Sequence, residues 1–148
     1  MTPDPHKADP HEWAFLQLIQ AYGQSRRLTE RELSPFGITI AEYTLLRILQ
    51  NTPHITASQA RTRLATTAPS LAQLVKSLSR KGMIRRSADR VDTRRQPIDL
   101  TAKGKKTIEK ARSAIQQTLR KLVVSPATVR TLTDALSDLL TSLSSYGR

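Results

Sequence analysis

The sequence predicts a mainly α-helical chain carrying one small β-hairpin, and three observations predict it. Apolar residues recur at three- and four-residue steps through most of the 148 residues, and Ser or Thr capping signals punctuate those runs. Only the stretch 78–101, LSRKGMIRRSADRVDTRRQPIDLT, switches to the two-residue period of a strand. That stretch is also strongly basic. A basic hairpin set directly after a helix pair reads as the wing of a winged helix-turn-helix, with further helices before and after it free to pair with a second copy.

Taken in order, residues 1–10 hold Pro3, Pro5 and Pro10 among polar residues and read as a disordered arm. Over 11–33 the apolar residues Trp13, Phe15, Leu16, Ile19, Tyr22 and Leu28 recur at mostly helical spacings, and the run stops before Pro35 and Gly37. Thr39 with Glu42 forms a capping box for a second helix over about 40–50, with Tyr43, Leu46 and Leu49 on one side. Asn51-Thr52-Pro53 breaks it. Thr56 with Gln59 repeats the capping pattern and opens a short third helix ending near Leu64.

Thr67 is a good cap for a fourth helix, because Pro69 is tolerated in a first turn and Leu71, Leu74, Val75 and Leu78 make one inward stripe. Its outward face is Ser70, Gln73, Lys76, Ser77 and Arg80. Gly82 supplies the left-handed residue that commonly stops a helix, and a strand begins at Met83. Residues 89–93 form a polar turn, after which Gln96, Ile98 and Leu100 alternate with Pro97 and Asp99. Proline cannot donate to a ladder, so Pro97 is expected to face solvent on an edge.

Thr101 caps a long fifth helix carrying Ile108, Ala111, Ile115, Leu119 and Leu122, which Ser125-Pro126 ends. A sixth, over about 127–143, carries Val129, Leu132, Leu136, Leu139, Leu140 and Leu143. The first, fifth and sixth helices have more apolar stripe than a small winged domain can bury, which predicts burial against another copy. The expected organisation is a single domain over 11–148, with the winged helix-turn-helix at about 38–101 and dimerisation helices at about 11–34 and 102–145. One such domain suits a chain of this length.

Charge narrows the function. The formal net charge is +12, and residues 61–106 hold thirteen Lys and Arg against three acids, so +10 of the excess sits on one helix and hairpin. Concentration of that kind is the footprint of a polyanion binder. With no cysteine there is no disulfide, thiolate metal site or thiol switch. No apolar run approaches the roughly 20 residues that span a bilayer, and the first residues lack the apolar core of a signal peptide, so the expected compartment is the cytoplasm. His6, His11 and His54 have no acidic partner at ligand spacing and read as solvated imidazoles, and no metal or other cofactor is expected. No Ser/His/Asp or paired-carboxylate arrangement stands out, which argues against an enzyme.

The third and fourth helices have the lengths of a helix-turn-helix joined near Ala65-Thr66. Double-stranded DNA is the expected partner, with Thr67, Pro69, Ser70, Gln73, Lys76 and Ser77 at or near the groove. Ser70 and Gln73 lie at a spacing that lets both reach base edges, and a glutamine can pair bidentately with adenine. For Ser70 a helix-end hydrogen bond is the plainer reading. Arg80, Lys81, Arg86 and Lys103 suit phosphate contacts, because charge at helix and hairpin ends positions a protein without selecting sequence. An architectural or RNA-binding protein without sequence preference is the alternative; 4% aromatic content speaks against base-stacking RNA modules.

The segments Lys81-Gly82-Met83-Ile84-Arg85-Arg86, Asp89 with Asp92 and Arg94, and Leu100-Thr101 together resemble the multiple-antibiotic-resistance regulator (MarR) family, as does Gly37-Ile38-Thr39-Ile40-Ala41-Glu42 upstream. The resemblance implies a dimeric winged helix-turn-helix transcription regulator, most often a repressor acting on a pseudo-palindromic operator and released by a small phenolic or carboxylic ligand. It further implies that Arg94, held by Asp92, reaches into the minor groove, where a guanidinium suits the negative potential, with Arg95 beside it. It places an effector crevice near Trp13, Tyr43 and Arg47, although aromatics at such positions are more often ordinary core.

Overall fold

The computed structural model describes residues 9–87, 96–122 and 124–146. The expected arm therefore lies outside the described residues apart from Asp9 and Pro10, and the turn expected over 89–93 lies wholly outside them. Two compact units divide the chain, residues 1–115 and 116–148.

In the first unit α1 spans Pro10–Leu33, one residue earlier than its periodicity suggests, because the Asp9 carboxylate accepts from the backbone N–H groups of His11 and Glu12 and Pro10 fits the first turn. A single 3-10 turn, Ser34–Phe36, ends on Gly37 at φ 64°, where a left-handed backbone favours glycine. Then come α2 (Ile40–Asn51) and α3 (Ala57–Leu64), each opened by the capping box its Thr-x-x-Glu or Thr-x-x-Gln pattern announces. Helix α4 (Ala68–Arg80) follows. Its C-terminus is a Schellman motif: Met83 N–H reaches the Leu78 carbonyl and Gly82 N–H the Ser79 carbonyl, with Gly82 at φ 68°.

The hairpin is antiparallel, β1 (Ile84–Arg86) against β2 (Ile98–Leu100), with Ile84 opposite Leu100 and Arg86 opposite Ile98. Two sequence expectations fail here. Pro97 is buried rather than turned to solvent, and it stands just before β2, where its carbonyl accepts from Ser87 N–H and no donor is required of it. Nor is β2 an edge on that side, since Ile98 N–H donates to the carbonyl of Ile55, a one-residue bridge from the α2–α3 turn. A single extended residue has no periodicity, so its pairing leaves no trace in the sequence.

Helix α5 (Ala102–Arg120) is capped by Thr101, whose hydroxyl accepts from Gly104 N–H and donates to the Gly82 carbonyl. Gly104 is required for packing: a Cβ there would sit 2.0 Å from the Met83 carbonyl oxygen. The core of this unit draws Leu33, Leu45, Leu46, Leu49, Ile55, Ala60, Leu71, Val75, Leu78, Ile84, Ile98 and Ile108 from each α-helix and strand between the end of α1 and the middle of α5. The side expected of α2 holds for Leu46 and Leu49, whereas Tyr43 is half-buried and Leu45 is buried in its place.

In the second unit α5 stops at Arg120, five residues before the Ser125-Pro126 break expected to end it, and α6 spans Pro126–Tyr146. No residue of α6 is buried; Val129, Leu132, Leu140 and Leu143 are half or more exposed. No helix among the described residues is long and apolar enough to cross a membrane.

Candidate nucleic-acid interface

Helix α3, the turn through Ala65 and helix α4 form the helix-turn-helix. The turn is tight because Ala65 adopts a left-handed backbone at φ 49°, which an alanine accepts only when its surroundings impose it. Thr66 N–H returns to the Arg61 carbonyl, and Thr67 then caps α4 by accepting from Ser70 N–H.

On α4 the structure divides the sequence-predicted residues into two groups. Thr67, Pro69, Ser70, Gln73, Lys76 and Arg80 are all exposed. Ser70 and Gln73, and Gln73 and Lys76, stand three residues apart, so they neighbour one another on the helix surface. The helix-end reading of Ser70 is met: its backbone N–H is capped by Thr67, and its hydroxyl accepts from Thr67 at 2.9 Å, which leaves the serine proton free to donate outward. Among the described residues Gln73, Lys76 and Arg80 make no hydrogen bond or ion pair, so their donors are unspent.

Ser77 and Lys81 belong to the other group, which corrects the expectation that both face DNA. The Ser77 hydroxyl donates to Glu42 Oε1 at 2.6 Å, and Lys81 Nζ donates to both Glu42 oxygens at 2.7 Å and to the Gly37 carbonyl at 2.8 Å. Glu42 Oε2 also accepts from Thr39 N–H, closing the α2 capping box. Burial of Glu42 opposes its charged form, but the hydrogen bonds from Lys81, Ser77 and Thr39 and the positive charge of Lys81 outweigh that and hold the carboxyl below the ordinary range for glutamate. Lys103 stays exposed, and its ammonium donates to the Lys81 carbonyl at the end of α4. The capping box gave the sequence a local role for Glu42; the 39-residue separation from Lys81 hid its other partner.

At the hairpin Arg85 and Arg86 are exposed on β1, and Arg86 reaches Gln96 only at a long 3.4 Å. Arg94 and Arg95, the expected minor-groove residues, lie outside the described residues. The base of the hairpin is fixed by Asp99. Its carboxylate accepts from His54 N–H (2.9 Å), His54 Nδ1 (3.0 Å) and the Ser87 hydroxyl (2.8 Å). Burial again opposes the charge, and these donors together with the nearby imidazole hold the carboxyl below its usual range. His54 therefore has an acidic partner after all, 45 residues away in sequence.

None of the three residues expected to hold an effector lines the concavity between α2, the hairpin and α5. Trp13 and Tyr43 are half-buried, and the Arg47 guanidinium donates to Gln50 Oε1 at 2.6 Å, while Gln50 in turn donates to Glu109. That concavity, of about 470 Å³, opens between the end of α2, the Pro53-His54 turn, the hairpin and the first turns of α5. It is lined by Leu49, Pro53, Arg85, Leu100, Lys105 and Glu109 among others, without Trp13, Tyr43 or Arg47.

A helix-turn-helix followed by an antiparallel hairpin and a further helix defines the winged helix-turn-helix class. The model of the MarR family matches residues 36–95, the span that holds every α4 residue above. The chain is 30% identical over 98 residues to the transcriptional regulator HosA of Escherichia coli, covering 66% of this chain and 71% of HosA. Over 84 residues it is 26% identical to an HTH-type transcriptional repressor of Mycobacterium tuberculosis, covering 57% of this chain and 60% of the repressor. The crystal structure of the Staphylococcus aureus MepR–DNA complex superposes with a TM-score of 0.73 at 26% identity, over 89% of this chain and 95% of MepR. The chain belongs to the MarR family of transcription regulators.

Proposed function

We propose that the protein is a sequence-specific DNA-binding repressor that acts as a homodimer, with α4 in the major groove and the hairpin on the adjacent minor groove. The observation that carries this reading is the free face of α4. Ser70, Gln73 and Lys76 keep their donors while every buried polar group around them is satisfied, and an exposed glutamine beside a lysine is what base readout with phosphate anchoring requires. The family membership and the DNA-bound relative support the class of target, and the relative named as a repressor supports the sign of regulation. Arg80, Arg85 and Arg86 add cations for the backbone, and Arg94 and Arg95 keep the minor-groove role that the family resemblance gives them.

The homodimer rests on exposed apolar side chains. Phe15, Ile19 and Tyr22 on α1 are more than half exposed, as are Leu140 and Leu143 on α6, and water-facing stripes of that size are costly unless covered. Residues 11–148 then act as one functional domain, with α1, α5 and α6 as its dimerisation part, and a twofold assembly sets two α4 helices on half-sites roughly 10 bp apart. An aromatic or carboxylated effector acting through Trp13, Tyr43 and Arg47 meets a guanidinium already bonded to Gln50 through one nitrogen, with further N–H donors for a carboxylate, and quenching of the single Trp13 would report it.

The test is the ratio of operator to random-duplex affinity at fixed salt, on a site selected from a random library. A specific regulator favours its site by roughly a thousandfold or more, and Gln73→Ala removes about 1–3 kcal/mol from the operator alone. Equal affinity for both duplexes would sink the reading in favour of a non-specific architectural binder.

A further inference from the structure

We propose that Glu42 is a positioning residue for the recognition helix α4, and that Lys81 supports DNA binding through Glu42 rather than by touching the phosphate backbone. The inference rests on the reading of α4 as the recognition helix and concerns what fixes its direction.

Donor accounting makes the case. An ammonium carries three N–H donors, and Lys81 spends its contacts on Glu42 Oε1, Glu42 Oε2 and the Gly37 carbonyl, at 2.7, 2.7 and 2.8 Å. The ammonium is thereby drawn toward the carboxylate and the Gly37 carbonyl, away from the free face of α4, with its side chain only one-third exposed. The carboxylate is as fully used, accepting from Ser77, Lys81 and Thr39 with its side chain only 3% exposed. One buried group thus joins three places: the turn after α1, the first turn of α2 and the last turn of α4. On the far side of that last turn Lys103 holds the Lys81 carbonyl. The C-terminal end of α4 is clamped by polar contacts from two directions, while the face bearing Ser70, Gln73 and Lys76 carries none but the cap at Thr67.

A clamp there matters for readout because a helix moves as a rod. Gln73 lies eight residues before Lys81, about 12 Å along the axis, so a tilt of roughly 5° about the clamp shifts it by about 1 Å. Hydrogen bonds to base edges do not survive shifts of that size, whereas contacts to phosphates from long flexible side chains do. Loosening the clamp therefore erodes sequence preference first and general affinity least.

The test measures operator and random-duplex affinity across a salt series for the wild-type protein and for Lys81→Met, Glu42→Gln, the double variant and Ser77→Ala, with thermal unfolding to confirm that each is folded. Lys81→Met is expected to weaken operator binding on the order of tenfold while leaving random DNA within about twofold. Its salt slope stays that of the wild type. In the double variant no buried carboxylate is left without its countercharge, so its operator affinity matches or exceeds that of Lys81→Met. If Lys81→Met does not fold, Ser77→Ala carries the test, with a smaller operator-selective loss and an unchanged slope.

A phosphate-contacting Lys81 gives the opposite pattern: both duplexes weaken equally, the slope becomes less negative by about 0.9, and the two single losses multiply in the double variant. That pattern overturns the proposal, as does wild-type binding by Lys81→Met or, should it stand in, by Ser77→Ala. A wild type with no operator preference would instead sink the reading of α4, which the same series shows separately.

Discussion

Leucines are spent in opposite ways in the winged-helix body and in α6. In the body Leu33, Leu45, Leu46 and Leu78 are fully buried within one core cluster. In α6, a helix of 21 residues with a leucine stripe as regular as that of α4, no residue is buried and Leu140 and Leu143 are 63% and 56% exposed. A helical stripe records which side must be covered and is silent about what covers it, so the body's leucines measure the stability of one chain and those of α6, in the proposed homodimer, measure association.

The most forceful way to break the comparison is Leu78→Ala. It removes a fully buried side chain from the inner face of α4, and a loss of about 2–5 kcal/mol in unfolding free energy is expected by denaturant titration. A loss below about 1 kcal/mol would show that the body tolerates the cavity as a surface does.

Leu140→Asp with Leu143→Asp asks the converse of α6. Sedimentation at micromolar concentration should show half the wild-type mass, and operator binding should fall. The body itself should lose at most about 0.5 kcal/mol, as at surface positions. An unchanged mass would mean that these leucines face water in the working protein, and the second half of the comparison would fail.

A pH series sharpens the first half. Glu42 and Asp99 both sit below their ordinary values of 4.5 and 3.8, so both carboxylates stabilise the folded state. For a depressed carboxyl the contribution is complete above the unfolded value and is lost as pH falls through the folded one. The melting temperature should therefore hold above about pH 5 and drop steadily below about pH 4.5. Glu42→Gln should make that decline shallower; an identical decline in the variant would mean that Glu42 contributes nothing to it.

The smallest effect expected is from Ala65→Gly in the turn before α4. Relief of a left-handed alanine is worth about 1–2 kcal/mol, and the freer unfolded chain takes back about 0.4–1 kcal/mol, leaving a gain between about 0 and 1.6 kcal/mol. A lower melting temperature in the variant would show that Ala65 carries packing that its exposed position does not reveal.

What the sequence determined by itself was everything whose cause lies within a few residues. The capping boxes at Thr39 and Thr56, the Thr67 and Thr101 caps, the Gly82 stop and the inward stripe of α4 are interactions of residues one helical turn apart, and each stands where the pattern puts it. So does the exposed face of α4 with Ser70, Gln73 and Lys76. Tertiary structure alone decided which charges remain available. Ser77, Lys81 and Lys103 look like surface cations and donors in any local reading, yet they are committed to Glu42 and to backbone carbonyls. His54 looks solitary until Asp99 arrives, and Ile55 looks like a loop residue until Ile98 pairs with it. The physical reason is common to all of these. A buried polar group must find a partner wherever the chain happens to pass, and at separations of some 40 residues no spacing in the sequence encodes which segments will meet.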